Sequence, residues 1–272
     1  MKWPKRKSIV PVIRFNGPIG LATPLRPGLS MTTVAGVIEK AFSMSKLPSV
    51  AISINSPGGS PVQSHLIYKR VRQLAVEKKK KVYVFCEDVA ASGGYFLALS
   101  GDEIYADPSS IIGSIGVISA SFGLDKAIER IGVERRVYTS GKSKSFLDPF
   151  QPAKTEDIAR LKAVQHDVHQ AFISVVTERR GGKLSTDDGD LFTGDFWSAE
   201  RARALGLIDG ISDVRSKMRE LHGDDIKLKM VARSSGGLIS RLLKSAMGLE
   251  GHSSLLPSGA MSPADIGEGL LS

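Results

Sequence analysis

Two glycine-rich turns, each set directly after a short apolar run, constrain this chain more than any other feature. Val50-Ala51-Ile52-Ser53-Ile54 leads into Asn55-Ser56-Pro57-Gly58-Gly59. Val82 to Phe85 leads, a few residues on, into Ala90-Ala91-Ser92-Gly93-Gly94-Tyr95. Short runs rich in β-branched residues and bounded by breakers predict buried strands. A helix is predicted after each turn: Pro61 to about Glu77, with proline suited to the first turn, and Gly93 to Leu99. Strands are also expected at Ser8–Phe15, Glu103–Ala106, Ile115–Ile118 and Val133–Tyr138. Further helices are expected at Thr32–Met44, Leu124–Ile131, Thr155–Arg180 (stopped by Gly181-Gly182), Ser198–Leu205 and Ile211–Leu221. Ser140 to Pro152 reads as a polar loop. Strands alternating with helices at this spacing predict an α/β fold, a largely parallel sheet with covering helices.

Composition changes after His222, where Ser, Gly and Leu take over. The expected division is therefore a domain over 1–222 and a basic, partly disordered tail over 223–272. Within that tail Leu238, Ile239, Leu242, Leu243 and Met247 fall at helical spacing beside Arg241 and Lys244. This is a candidate amphipathic helix for a membrane surface or a partner subunit.

The chain has 272 residues, with 37 Lys and Arg against 28 Asp and Glu, a net charge of +9. Its 42% apolar content excludes disorder of the whole chain. The positive excess gathers in Lys2, Lys5, Arg6, Lys7 and Arg14, and again from Lys227 to Lys244. Such ends suit peripheral contact with an anionic membrane. Trp3 is the one aromatic residue set among these charges, too little for base stacking, so nucleic acid is not an expected partner. The run Lys78 to Lys81 reads as a helix end whose lysines face the negative end of the dipole. The lone cysteine, Cys86, excludes an internal disulfide and any multi-cysteine metal site. The long uncharged stretches cannot span a bilayer: Leu47 to Tyr68 is broken by Pro48, Pro57, Gly58, Gly59 and Pro61, and Pro108 to Leu124 is glycine-broken and too short. With no signal-peptide pattern at the start, the expectation is a cytoplasmic protein, peripheral at most at the inner membrane.

Several chemistries have no support. The phosphate-loop, dinucleotide and H-E-x-x-H patterns are absent, so no cofactor and no metal is expected. His166 and His169 lie three apart on a predicted helix and read as a surface pair. Thr186 to Asp190 reads as a turn, not a calcium loop.

The turns themselves offer a different chemistry. A serine at a strand-to-helix turn, flanked by Ala and Gly, exposes its hydroxyl while small neighbours let a peptide backbone approach. The helix start adds unpaired N–H groups suited to an oxyanion. From spacing alone, two tight turns in an α/β protein account for the pattern equally well. A nucleophilic serine needs a base. No histidine lies soon after Ser92, which disfavours a Ser-His-Asp triad. Lys142 and Lys144, near Phe146 and Leu147, are candidate bases if one amine is neutral.

Four motifs in order, Asn55-Ser56-Pro57-Gly58-Gly59, Ala91-Ser92-Gly93-Gly94-Tyr95, Gly113-Ser114-Ile115-Gly116-Val117 and Ser140-Gly141-Lys142-Ser143-Lys144, resemble the signal peptide peptidase A (protease IV) family of serine proteases. The resemblance covers about Ile9 to Met218. It implies a Clp/crotonase-like α/β fold and a Ser-Lys dyad. Ser92 would be the nucleophile and Lys144 the general base, with Ser114 orienting the amine. Gly59 and Gly93 would supply the oxyanion donors, with Gly58 a third candidate. It further implies peptide substrates, signal peptides or other released or misfolded peptides, and a homo-oligomer in which Ser and Lys meet across an interface. Two rivals stand beside it: a crotonase-like acyl-thioester hydrolase, which would need an acid near the amides, and a non-catalytic membrane-associated scaffold.

Overall fold

The computed structural model describes residues 8–20, 28–141, 143–185 and 191–232. The basic start, the candidate amphipathic segment, Lys142 and Thr186 to Asp190 lie outside the described residues.

One sheet organises the fold. Its main path starts from strand β1 (Ile9–Asn16), β2 (Ser49–Ser56) and β3 (Lys81–Ala91) and continues through β5 (Ile111–Gly113) to β6 (Phe196–Ser198). At the other edge β8 (Lys227–Met230) pairs with β1. A branch is formed by β4 (Glu103–Ala106), which pairs with β3, and β7 (Gly210–Ile211), which pairs with β4. Every pairing is parallel except β5 with β6. A parallel sheet needs both faces covered, and the side chains divide accordingly. Ile13, Phe15, Ile52, Ile54 and Val84 point into the main core. Val10, Val12, Ala51, Tyr83 and Phe85 point into a smaller core closed by Tyr105 and Met218. The period of two along each strand forces this division.

The main core is roofed by α1 (Met31–Met44), α2 (Pro61–Glu77), α3 (Gly93–Ala98), α5 (Thr155–Arg180) and α6 (Ala199–Ala204). Local chemistry starts each of the first two. Ser30 and Thr33 form a reciprocal capping box on α1. On α2 the Ser60 hydroxyl accepts from the Gln63 N–H, and Pro61 opens the first turn. Helix α7 (Val214–His222), capped by Asp213, sends Met218 into the smaller core. The short α4 (Asp125–Arg130) buries nothing.

Four expectations change. The strand expected at Ile115–Ile118 lies earlier, at Ile111–Gly113. Val133–Tyr138 forms no strand. That stretch is exposed and is tied instead by Arg135, which bonds Asp148 at 2.9 Å and lies 4.8 Å over the Phe150 ring. The folded unit extends past His222, because β8 adds to the sheet edge and Val231 donates to the Val12 carbonyl. The four lysines after α2 do not act as one dipole cap. Lys78 closes the helix, Lys80 reaches the Ser45 and Leu47 carbonyls beyond α1, and Lys81 pairs with Glu103.

The end of α5 is fixed by a buried ion pair. The Arg180 guanidinium, 3% exposed, bonds Asp209 at 2.8 Å and the Gly206 carbonyl at 2.9 Å. Burial pushes the Asp209 carboxyl up, but its bonds to Arg180 and Lys183 outweigh that and hold it below the usual carboxylate range. A depressed folded pKa contributes stability above the unfolded value near 3.9, and that contribution disappears as pH falls through the folded one. Arg180→Met should cost about 3 kcal/mol in urea unfolding at pH 7, because it strips one partner from a buried charge. The loss of stability on acidification below about pH 4 should also be shallower than in the wild type.

Candidate functional site

β3 runs beyond the level at which β4 stops pairing with it, through a register irregularity beside Ser56, and ends at Ala91. The next residue, Ser92, turns the chain into α3 with φ +53° and ψ −122°. Positive φ in a non-glycine residue costs on the order of 1–3 kcal/mol and persists only where neighbours over-determine it. Here they do. The Ser92 N–H donates to the Gly113 carbonyl (2.8 Å), and its carbonyl accepts from Phe96 (2.9 Å). Tyr95, one turn into α3, is fully buried and donates its hydroxyl to the Leu207 carbonyl at 2.7 Å. The Ser92 side chain does not cap its own helix, and the residue stands half-buried at the end of a rigid strand.

The loop after β2 lies directly against this turn. A Cβ on Gly58 (φ +102°) would sit 2.7 Å from the Gly93 nitrogen and 2.8 Å from Ser92 Cβ. A Cβ on Gly59 (φ +141°) would strike the Ile19 carbonyl, and one on Gly94 the Ser56 carbonyl. The contact is made by bare backbone on both sides. The N–H groups sort themselves within it. Gly58 donates to Ser56 Oγ at 3.2 Å, and its carbonyl accepts from Ile19. Among the described residues, the N–H groups of Gly59 and Gly93 have no backbone acceptor. Gly93 is the first residue of α3, where intrahelical acceptors do not exist.

Gly59, Ser92 and Gly93 open onto a cavity of about 220 Å³. Its far walls are apolar: Val62 and Phe96 from α2 and α3, and Val168, Ala171, Phe172 and Val175 from α5. Gly116 and Val117 form a third side, and His65 stands at the rim. Among the described residues no Asp or Glu lines it.

The structure thus brings Ser92, Gly93 and Gly59 together. Ser114 (φ +51°) adjoins them through Gly113, and its N–H donates to the Asp195 carbonyl at 2.6 Å. Lys144 is placed elsewhere. It is exposed, its N–H donates to the Gly141 carbonyl at 3.2 Å, and it does not line the cavity. His166 is exposed, whereas His169 bonds the Ile115 carbonyl at 3.0 Å. The pair therefore does not act together. The α5 wall was the part of the site that sequence reasoning missed. Its signal was the helical spacing of Val168, Ala171, Phe172 and Val175, which reads equally well as ordinary core. Among the described residues no group of His, Cys, Asp and Glu suits a metal ion, and no helix is long and apolar enough to cross a membrane.

The model of peptidase family S49 matches residues 75–227, more than half of the chain, and the chain belongs to that family. The matched region contains Ser92, Ser114 and Lys144 but not Gly59. The α/β arrangement above is the family's Clp/crotonase-like fold. A Brucella abortus (strain 2308) protein named Na(+)/H(+) antiporter NhaA is 56% identical over 267 residues, a match that takes in 96% of this chain and 35% of that protein. A putative protease of Synechocystis sp. is 33% identical over 195 residues, 68% of this chain and 67% of that protein. The chloroplastic serine protease SPPA of Arabidopsis thaliana is 30% identical over 207 residues, 74% of this chain and 30% of that one. The chain spans about a third of the length of the first of these relatives.

Two predictions follow from the packing. Gly58→Ala forces a side chain between the two turns and should lower stability by about 1–3 kcal/mol, read from thermal unfolding. Cys86 is buried, and burial pushes its thiol up to about 12. It should resist iodoacetamide in the folded protein and react once denaturant opens the core.

Proposed function

We propose that this chain is a serine endopeptidase working with a Ser-Lys dyad. Ser92 Oγ attacks the peptide carbonyl while a neutral Lys144 amine takes its proton. The Gly59 and Gly93 N–H groups hold the oxyanion, and Ser114 orients the amine. The resulting ammonium then protonates the leaving amine. Water, deprotonated by the same lysine, attacks the acyl-enzyme, and the proton returns to Ser92 as the acid departs. The observation that carries the reading is the strained turn at Ser92, its hydroxyl unused by the helix and flanked by two open amides. The acyl-thioester alternative calls for a carboxylate beside those amides, and the cavity lining has none.

Lys144 reaches Ser92, on this reading, through assembly of identical copies. Lys144 stands outside the cavity on a stretch that also exposes Ile118, Phe122, Ile131 and Tyr138. Contact with a neighbouring copy covers that apolar surface and brings one copy's amine to another's serine. The apolar cavity suits one apolar side chain of an extended peptide, as in signal peptides or other released or misfolded chains. The basic chain ends suit cytoplasmic work beside an anionic membrane.

Labelling with a fluorophosphonate probe across pH tests this. Wild type should be labelled, faster as pH rises, because only the deprotonated amine accepts the serine proton. Ser92→Ala should abolish labelling, and Lys144→Ala should slow it by about 10²–10⁴-fold, with circular dichroism unchanged in both. Undiminished labelling of Lys144→Ala would remove that residue as the base. Undiminished function of Ser92→Ala in the cell would favour a scaffold.

A further inference from the structure

The cavity beside Ser92 has two kinds of wall. One side is backbone, Gly59 and Gly93, locked by contacts that admit no side chain. The other is the face of α5, which packs on the main core at Phe172, Val175 and Val176 and faces Gly116 and Val117 across the cavity. The width of the cavity therefore depends on how α5 is held against the third side, Gly116 and Val117.

One side chain of α5 bonds that side directly. His169 projects from the same turn of α5 as Val168, and its Nε2 donates to the Ile115 carbonyl at 3.0 Å. Among the described residues this carbonyl accepts from no backbone N–H. The segment it anchors is under strain, with positive φ at both Gly113 (+116°) and Ser114 (+51°). The same segment gives the Gly113 carbonyl to the Ser92 N–H and takes the Asp195 carbonyl at the Ser114 N–H. Within the segment the Gly116 N–H donates to the Ser114 carbonyl at 3.0 Å, and the His169 bond ties this cavity-facing half to α5. A carbonyl acceptor requires the proton on Nε2. The neutral Nε2–H tautomer and the imidazolium both supply it, so the tie does not depend on which is present.

We propose that His169 is a positioning residue that sets the span between the α5 wall and the Gly116–Val117 side, and thereby the size of apolar substrate side chain the peptidase admits. This rests on the serine-peptidase reading above. His169 touches neither the serine nor the scissile bond. It acts through Ile115 on one side and through Val168, Ala171 and Phe172 on the other.

The test uses the full chain and three peptides that differ only at the residue entering the cavity: alanine, leucine or phenylalanine. Wild type should discriminate among them. His169→Leu keeps bulk but loses the donor. It should lower kcat/KM for the preferred peptide by about tenfold, mostly through KM, and flatten the preference. His169→Gln restores an N–H donor and should recover most of both. Labelling of Ser92 by a small fluorophosphonate should stay within about twofold of wild type in each variant. Ala171→Phe, which fills the same wall without touching the tie, should shift preference toward alanine, and it keeps the wall assignment testable if His169→Leu folds poorly. An unchanged preference in His169→Leu, no recovery in His169→Gln, or labelling that falls in step with peptide turnover overturns the positioning role. A wild type that is not labelled at Ser92 overturns the serine reading itself, and the inference with it.

Discussion

A hydrogen bond from the Ser92 N–H to the Gly113 carbonyl joins the two halves of this site. On one side it holds a serine in a backbone conformation that such residues avoid. On the other it fixes the start of the segment that carries Ser114 and reaches the cavity. The bond is available only because β3 and β5 lie side by side and parallel, with Ala91 opposite Gly113. The sheet thus serves as a rigid mount, and α3 follows as a short helix whose first N–H groups lack acceptors. Buried Tyr95 pins that helix from below. The Arg179 guanidinium grips its exit through the Leu99 and Gly101 carbonyls.

The glycines of the site follow from this mount. Where two turns meet through backbone alone, residues without Cβ are a steric requirement. Gly58 meets Gly93 and Ser92, and Gly94 meets Ser56. The same closeness decides which amides remain open. Gly58 spends its N–H on Ser56, so among the described residues the turns leave Gly59 and Gly93 as open donors.

Much of this was legible in the residues. β2, β3 and the helices after them are announced by β-branched runs ending in breakers. The bounds of α5 match the pattern from Thr155 to the double glycine. Other parts depend on tertiary neighbours. Val133 to Tyr138 carries strand-like residues but meets no sheet edge, while Lys227 to Met230 is short and basic yet gains a ladder with β1. The site divided in the same way. Ser92, Gly59 and Gly93 sit on turns that local sequence specifies. The α5 wall and the His169 contact join residues more than fifty positions apart, and no local pattern encodes such a meeting. Lys144 was legible as a candidate beside Lys142, and resemblance selected it, but it is exposed and does not line the cavity.

The backbone contact between the two glycine turns has an evolutionary corollary. That side leaves no room for variation, because an added Cβ meets main chain at Gly58, Gly59 and Gly94 and the Ser64 hydroxyl at Gly93. Change in the shape of the cavity is channelled to the surfaces of α2 and α5, where side chains can be exchanged one at a time while the two turns stay as they are. Related chains should therefore differ along those two helices and agree at the turns.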